Sequence, residues 1–263
     1  MNKRIGNPIL RTFSSIALLL AVTAAVRAEL LVYEGFDYAA TGDAGGGGGL
    51  TNGHGWAKGS HWTRENSAKD ALSITAGSLA YGNVVTTGNK FELRGSNGRY
   101  SNRPFAKMID STVSDVVWGG IVMKTPPSSK TGRTSRFKLN GGGAAQFYVF
   151  ADSATTIVVG GGSATEINTG ISSGGGTRFY LYKIDLGEAE PVARLWISPS
   201  DFSSEAALGA PSVTITNIGS VYSSFSLGNS GGNPAQYDEV RIGTTLEDAW
   251  KTLPPQPTVI IVQ

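Results

Sequence analysis

The chain has 263 residues, with 22 basic and 20 acidic side chains, 36 glycines and no cysteine. Without a thiol, disulfide staples, zinc-thiolate centres and cysteine nucleophiles are excluded outright. Charge so close to balance gives no argument for a nucleic-acid partner.

Residues 1–28 read as a segment apart from the fold. "MNKRIGNPILRTF" is basic and free of acid, "SSIALLLAVTAAV" is an apolar run, and "VRA" ends in a small-residue cleavage site at Ala28. The expectation is a secretory signal and an exported product, placed outside the cell, at its surface or in the periplasm. No later stretch is long and apolar enough for a membrane span, so no transmembrane anchor is expected in the mature chain. Removing Lys3, Arg4, Arg11 and Arg27 leaves 18 basic against 20 acidic residues. The remaining charge is uneven: residues 29–138 hold 13 basic and 9 acidic side chains, residues 139–263 hold 5 and 11.

The mature part then shows short apolar and aromatic runs between Gly, Asn and Ser clusters. In order they are "LLVYEGF" (30–36), "VVWGGIVMK" (116–124), "QFYVF" (146–150), "RFYLYKIDL" (178–186), "VARLWIS" (192–198) and "SVTIT" (212–216). Short strands separated by turn signals predict an all-β sandwich or barrel. The helical pattern is confined to "TLEDAWKTL" (245–253), with Thr245 as cap and Pro254 as stop. One domain is expected over 29–253, followed by the proline-marked tail 254–263. About 235 residues bury roughly 70% of their unfolded surface, so such a domain needs no staples.

Several motifs fail for want of context. The glycine clusters 45–49, 141–143, 160–162 and 174–176 lie between strands, and no Gly-Lys pair follows any of them, so they read as loops and not phosphate cradles. "GISSG" (170–174) and "GNSGG" (228–232) match the G-x-S-x-G nucleophile pattern. Both histidines, His54 and His61, precede them, and no helix is expected after either, which removes the elbow mechanism. The histidines are spaced by seven with no acid between, a poor metal pattern, and read as polar residues beside Trp56 and Trp62.

The closing stretch "QYDEVRIGTTLEDAW" (236–250) concentrates acids. Sandwich glycosidases need two carboxylates on one face, and adjacent acids on a regular strand point to opposite faces. Alternation puts Asp238, Val240 and Ile242 on one side and Tyr237, Glu239 and Arg241 on the other. Asp238 then needs a partner at the rim of the apolar face, while Glu239 and Arg241 neutralise each other in solvent.

"LLVYEGFDY", "LTNGHGWAKGSHW", "LSITAGSLAYGNVVTTGN", "RFYLYKIDLGEAEPVARLWISP" and "YDEVRIGTTLEDAW" together resemble the secreted laminin-G-like proteins of bacteria, whose relatives are often PEP-CTERM-sorted. The resemblance implies a concanavalin A-like jelly-roll β-sandwich with one short C-terminal helix. It also implies that the last strand lies beside the first, bringing Glu34, Asp37 and Asp238 together. A structural calcium is expected there, the alternative being hydrogen bonds from loop amides. The PEP-CTERM signature and the catalytic carboxylate motif of sandwich glucanases are missing, so no enzymatic activity carries over.

The leading functional expectation is a non-catalytic module that binds polysaccharide or cell-surface glycan. If Leu195 and Ile197 face the core, Arg194 and Trp196 face outward, and Trp118 and Tyr148 are candidates in their own strands. Against this, large aromatics in a sandwich belong more often to the core. Arg133 and Arg136 in "KTPPSSKTGRTSRFK" (124–138) are candidates for an anionic glycan, with a solvated hairpin as the plainer reading. A structural or adhesive surface protein is the runner-up. Third is an exported polysaccharide lyase or glycosidase, with His61 and Arg64 as base and charge neutraliser.

Overall fold

The computed structural model describes residues 28–40, 50–64, 72–94, 99–125, 133–141, 146–152, 156–162, 164–229, 234–251 and 253–254. Residues 1–27 of the expected signal segment and 255–263 of the expected tail lie outside them. The strands are β1 (Leu30–Glu34), β2 (Thr63–Arg64), β3 (Leu72–Thr75), β4 (Lys90–Leu93), β5 (Arg99–Ile109), β6 (Val116–Lys124), β7 (Arg133–Asn140) and β8 (Gln146–Asp152). They continue with β9 (Thr156–Gly161), β10 (Ala164–Asn168), β11 (Thr177–Asp185), β12 (Val192–Ile197), β13 (Val213–Thr216), β14 (Tyr222–Asn229) and β15 (Ala235–Gly243).

They form two antiparallel sheets. The eight-stranded sheet runs β13-β12-β11-β6-β15-β4-β3, with β1 also paired to β15, and the seven-stranded sheet runs β10-β9-β8-β7-β14-β5-β2. β1 and β15 are neighbours as the resemblance implied, with Tyr33 opposite Arg241 and Glu34 opposite Val240.

Period-two patterning explains the layering. In β12, Ala193, Leu195 and Ile197 enter the core between the sheets, while in β13 buried Val213 and Ile215 alternate with exposed threonines. The inner layer is aromatic: Phe137 stacks on Phe225 at 6.0 Å and on Tyr182 at 6.0 Å. Each such ring contributes about 1.5–3 kcal/mol by burial, which explains how a cysteine-free sandwich holds together.

The segment "HGWA" (54–57) joins the edges of the two sheets. Tyr33 of β1 exchanges backbone hydrogen bonds with His54, the Ala57 amide donates to Pro104 O on β5, and the Ala106 amide of β5 donates to Gly55 O. Next to this stitch a groove of about 230 Å³ opens between the strand edges, lined by Leu31, Val32, His54, Lys107, Met108 and Val113 among others.

The outer face of the eight-stranded sheet carries a second apolar cluster. Leu79, Val84, Phe202 and Leu208 from two loops cover Trp118, Val122, Phe179, Leu181 and Trp196 of the sheet. The expected C-terminal helix is one 3-10 turn, Glu247–Ala249, packed so closely that a Cβ on Gly120 would lie 2.0 Å from Ala249 O. After the turn the Trp250 carbonyl accepts from Arg241 Nη1 at 2.9 Å and from the Val85 amide at 3.0 Å, which ties the turn to β15 and to the loop before β4.

Candidate functional site

The acids expected at the β1–β15 seam separate into two environments. Glu34 points between the sheets, where it is 1% exposed and pairs with Arg103 Nη1 at 2.6 Å. It also accepts from Tyr38 OH, Trp62 Nε1 and the Phe36 amide. Burial pushes its carboxyl up to about 7, against the opposing pull of the Arg103 charge. Arg103 completes its donors on Thr51 O, Asn52 O and Ser60, and lies 4.8 Å over the Trp56 ring. The pair therefore anchors the segment from Thr51 to Trp62, in which His54 is exposed and His61 half-buried.

Asp238 faces the other way, under the loop above the eight-stranded sheet. Its carboxylate accepts from the Leu79 amide at 2.7 Å and the Glu239 amide at 3.0 Å. Asp37 is exposed, at neither location. Glu34 and Asp238 thus do not converge, and no group of three or more His, Asp or Glu side chains is placed to hold a metal among the described residues. The alternative named for these acids, hydrogen bonding to loop amides, is what Asp238 adopts.

The strict alternation expected for 237–242 is corrected by a bulge. Register shifts between Asp238 and Arg241, and Glu239 takes a left-handed backbone, φ 54°. Tyr237, Val240 and Ile242 all enter the inter-sheet core. Asp238 and Glu239 consequently share the outer side, both 0% exposed. Glu239 and Arg241 are not in solvent as expected; they form a buried pair at 2.8 Å, and Glu239 also accepts from the Thr87 amide. Burial and then the Glu239 charge push Asp238 up to about 8, and burial raises Glu239 against the pull of Arg241.

Trp118 and Trp196 occupy the outer face as the alternation requires, but each is only 4% exposed. They stack on one another at 5.8 Å, Trp196 Nε1 donates to Gly209 O, and Lys183 sits 5.3 Å over Trp118. Arg194 is half-buried and paired with Asp185. The expectation that these rings form an open sugar platform is therefore corrected: loop side chains cover them.

The seven-stranded sheet offers a different outer face, one that carries no loop-borne apolar cluster among the described residues. Asn140 Nδ2 donates to Ser226 Oγ at 2.6 Å and to Asn102 Oδ1 and Ser224 Oγ at 3.3 Å, and Ser226 Oγ donates to Asn102 Oδ1 at 2.9 Å. The network holds both amides rigid and leaves Asn102 Nδ2 and Asn140 Oδ1 without a protein partner among the described residues. Lys138 and Arg136, both half-buried, stand on the neighbouring strand. Tyr148 lies across Gly160, where a Cβ would come within 2.5 Å of the ring, and its hydroxyl donates to Glu166 Oε1 at 2.9 Å.

Of the sequence candidates, this face brings together Tyr148 and Arg136; Arg133 belongs to β7, but its side chain and that of Arg64 lie outside the described residues. Asn102, Lys138, Asn140, Gly160, Glu166, Ser224 and Ser226 were missed. The alternation of serine with Phe225 and Leu227 in "YSSFSLGN" was the available signal.

No protein-family model matches the sequence, and no curated protein matches it. Solved structures do resemble it in shape. A carbohydrate esterase from the Shiga toxin-encoding bacteriophage phi24B superposes with TM-score 0.50 at 11% identity, covering 83% of this chain and 100% of that one. The globular domain of T. cruzi calreticulin gives TM-score 0.49 at 10% identity, covering 83% and 89%. The winged bean acidic lectin gives 0.36 at 13%, covering 70% and 98%. The chain has an all-β, concanavalin A-like jelly-roll fold. At these identities the likeness extends to the fold and no further.

Proposed function

We propose that the chain is an exported, non-catalytic module that binds carbohydrate on the outer face of its seven-stranded sheet. The observation that carries this reading is the Asn102–Ser226–Asn140 network beside the Tyr148 ring. Fixed amides with a donor and an acceptor left over suit the vicinal hydroxyls of a sugar, and an aromatic ring laid flat suits its C–H face. The likeness to a carbohydrate esterase concerns the fold alone, so support comes from the face itself.

The test is a glycan array with purified residues 29–263, run with calcium and again with chelator. Binding to a defined glycan is expected, reduced by Tyr148→Ala and retained in chelator, because Glu34 and Asp238 each have protein partners. Loss in chelator would restore the calcium expectation. A blank across neutral and anionic glycans would favour the structural or adhesive reading instead.

A further inference from the structure

The register of the seven-stranded sheet places one outward residue per strand in a straight row. Thr63 of β2 is opposite Asn102 of β5, Asn102 is opposite Ser226 of β14, and Ser226 is opposite Lys138 of β7. Lys138 in turn is opposite Tyr148 of β8, and Tyr148 is opposite Gly160 of β9. Adjacent strands are about 4.8 Å apart, so the row from Thr63 to Tyr148 covers four spacings, about 19 Å. One spacing is close to the length of a single pyranose unit in an extended chain.

The chemistry along the row is graded. The β5–β14–β7 part is hydrogen-bonding, built from the amides of Asn102 and Asn140 and the hydroxyls of Ser224 and Ser226. The β8–β10 part is aromatic, and it depends on Gly160: because that residue has no Cβ, the Tyr148 ring can lie down over β9 and reach Glu166. A side chain at 160 would force the ring up. Phe150, two residues along β8, stacks on Tyr148 at 5.8 Å with the planes 23° apart, backing the ring from the next position on the face.

Resting on the carbohydrate reading above, we infer that this face takes a linear sugar chain lying across the strands, about one unit per strand. The Tyr148 ring over Gly160 forms the stacking subsite at one end, and the asparagine and serine network forms the hydroxyl-binding subsites beyond it. A ligand of this class is a polysaccharide segment of four or five units, engaged along its length. A single terminal sugar would fill only one position of the row. Gly160 is on this view a specificity-determining residue although it offers no group to the ligand, and Glu166 a positioning residue that acts through Tyr148.

The experiment is titration calorimetry of the mature chain against linear oligosaccharides of two to six units from cello-, xylo-, chito- and mannuronate series. Affinity should climb with each added unit to four or five and then level off. Gly160→Ala should lower affinity for the longer members about tenfold, as should Tyr148→Ala, a factor in line with the loss of one aromatic contact. Both variants should keep cooperative thermal unfolding, since what a Cβ at 160 would meet is the far end of the Tyr148 side chain and not backbone. Full affinity already at two units, or wild-type binding by both variants, overturns the inference. Array binding confined to branched or terminal glycans also overturns it while leaving the carbohydrate reading in place. No binding by any glycan overturns both.

Discussion

The two outer faces of this sandwich are built by the same alternation and end in opposite states. On the eight-stranded sheet the outward residues include Trp118, Phe179, Leu181 and Trp196, and two loops and a 3-10 turn close over them. On the seven-stranded sheet the outward residues include Asn102, Lys138, Asn140, Ser224 and Ser226, and their polar atoms bond one another across strands. Outwardness in a strand therefore fixes a side, while exposure depends on what the connections carry. The apolar outer face is a second core that stabilises; the polar one, where Ser224 and Ser226 are themselves buried and Asn102, Lys138 and Asn140 half-buried, is the face proposed above to meet a ligand.

Truncation on the covered face should have the largest effects. Trp196→Ala removes a ring packed on Trp118 and hydrogen-bonded to Gly209 O, and should cost about 3–5 kcal/mol in urea unfolding. A cost below about 1 kcal/mol would mean that the loops do not pack as a core. Arg241→Met tests the polar part of the same face. It leaves Glu239 buried beside Asp238 without its cation, and a destabilisation of about 3–5 kcal/mol is expected on the same assay.

An effect of defined sign comes from pH. Burial and the neighbouring Glu239 raise Asp238 from 3.8 to about 8 in the folded chain, so the fold favours its neutral form. The associated stability is fully present below pH 3.8 and is lost as pH rises towards 8. Glu34, raised to about 7, acts in the same direction. The urea midpoint should fall between pH 5 and pH 8.5, and Asp238→Asn should make that fall shallower, the residual slope belonging to Glu34 and Glu239. A midpoint flat over this range, or a slope unchanged in the variant, would show that Asp238 is ionised without penalty.

The sequence made one side of this comparison far more legible than the other. Strand positions and the all-β class could be read because short apolar runs between turn signals are local, while the adjacency of first and last strands came only with the resemblance carried by the closing "DEVRIGTT". The inward face of β12 could be read from Leu195 and Ile197 alone. The covering of Trp118 and Trp196 could not, since Leu79, Val84, Phe202 and Leu208 are single apolar residues scattered through polar loops and show no period. The bulge at Asp238–Glu239 was hidden for another reason. Its left-handed residue is a glutamate, not the glycine or asparagine that usually marks such a backbone, and it is held there by Thr87 and Arg241, both distant or unrevealing in sequence. The polar network was invisible because pairing of Asn102, Ser226 and Asn140 depends on the register of three strands drawn from widely separated parts of the chain.

The smallest expected stability change separates the faces most sharply. Asn140→Ala deletes the donor that ties Ser224, Ser226 and Asn102 together, yet Asn140 is half-buried and water can take over the bonds it made, so the cost should be at most about 1 kcal/mol. Ser226 keeps its bond to Asn102 Oδ1, so the strand pairing underneath has no reason to change. If the open face serves ligand binding, the same variant should lose affinity for whichever glycan the array identifies by more than its stability loss can explain, because the remaining amide is no longer held in place. A stability cost as large as that of Trp196→Ala, with glycan affinity untouched, would reverse the assignment: the network would be a structural clamp, and the two faces would differ in chemistry without differing in role.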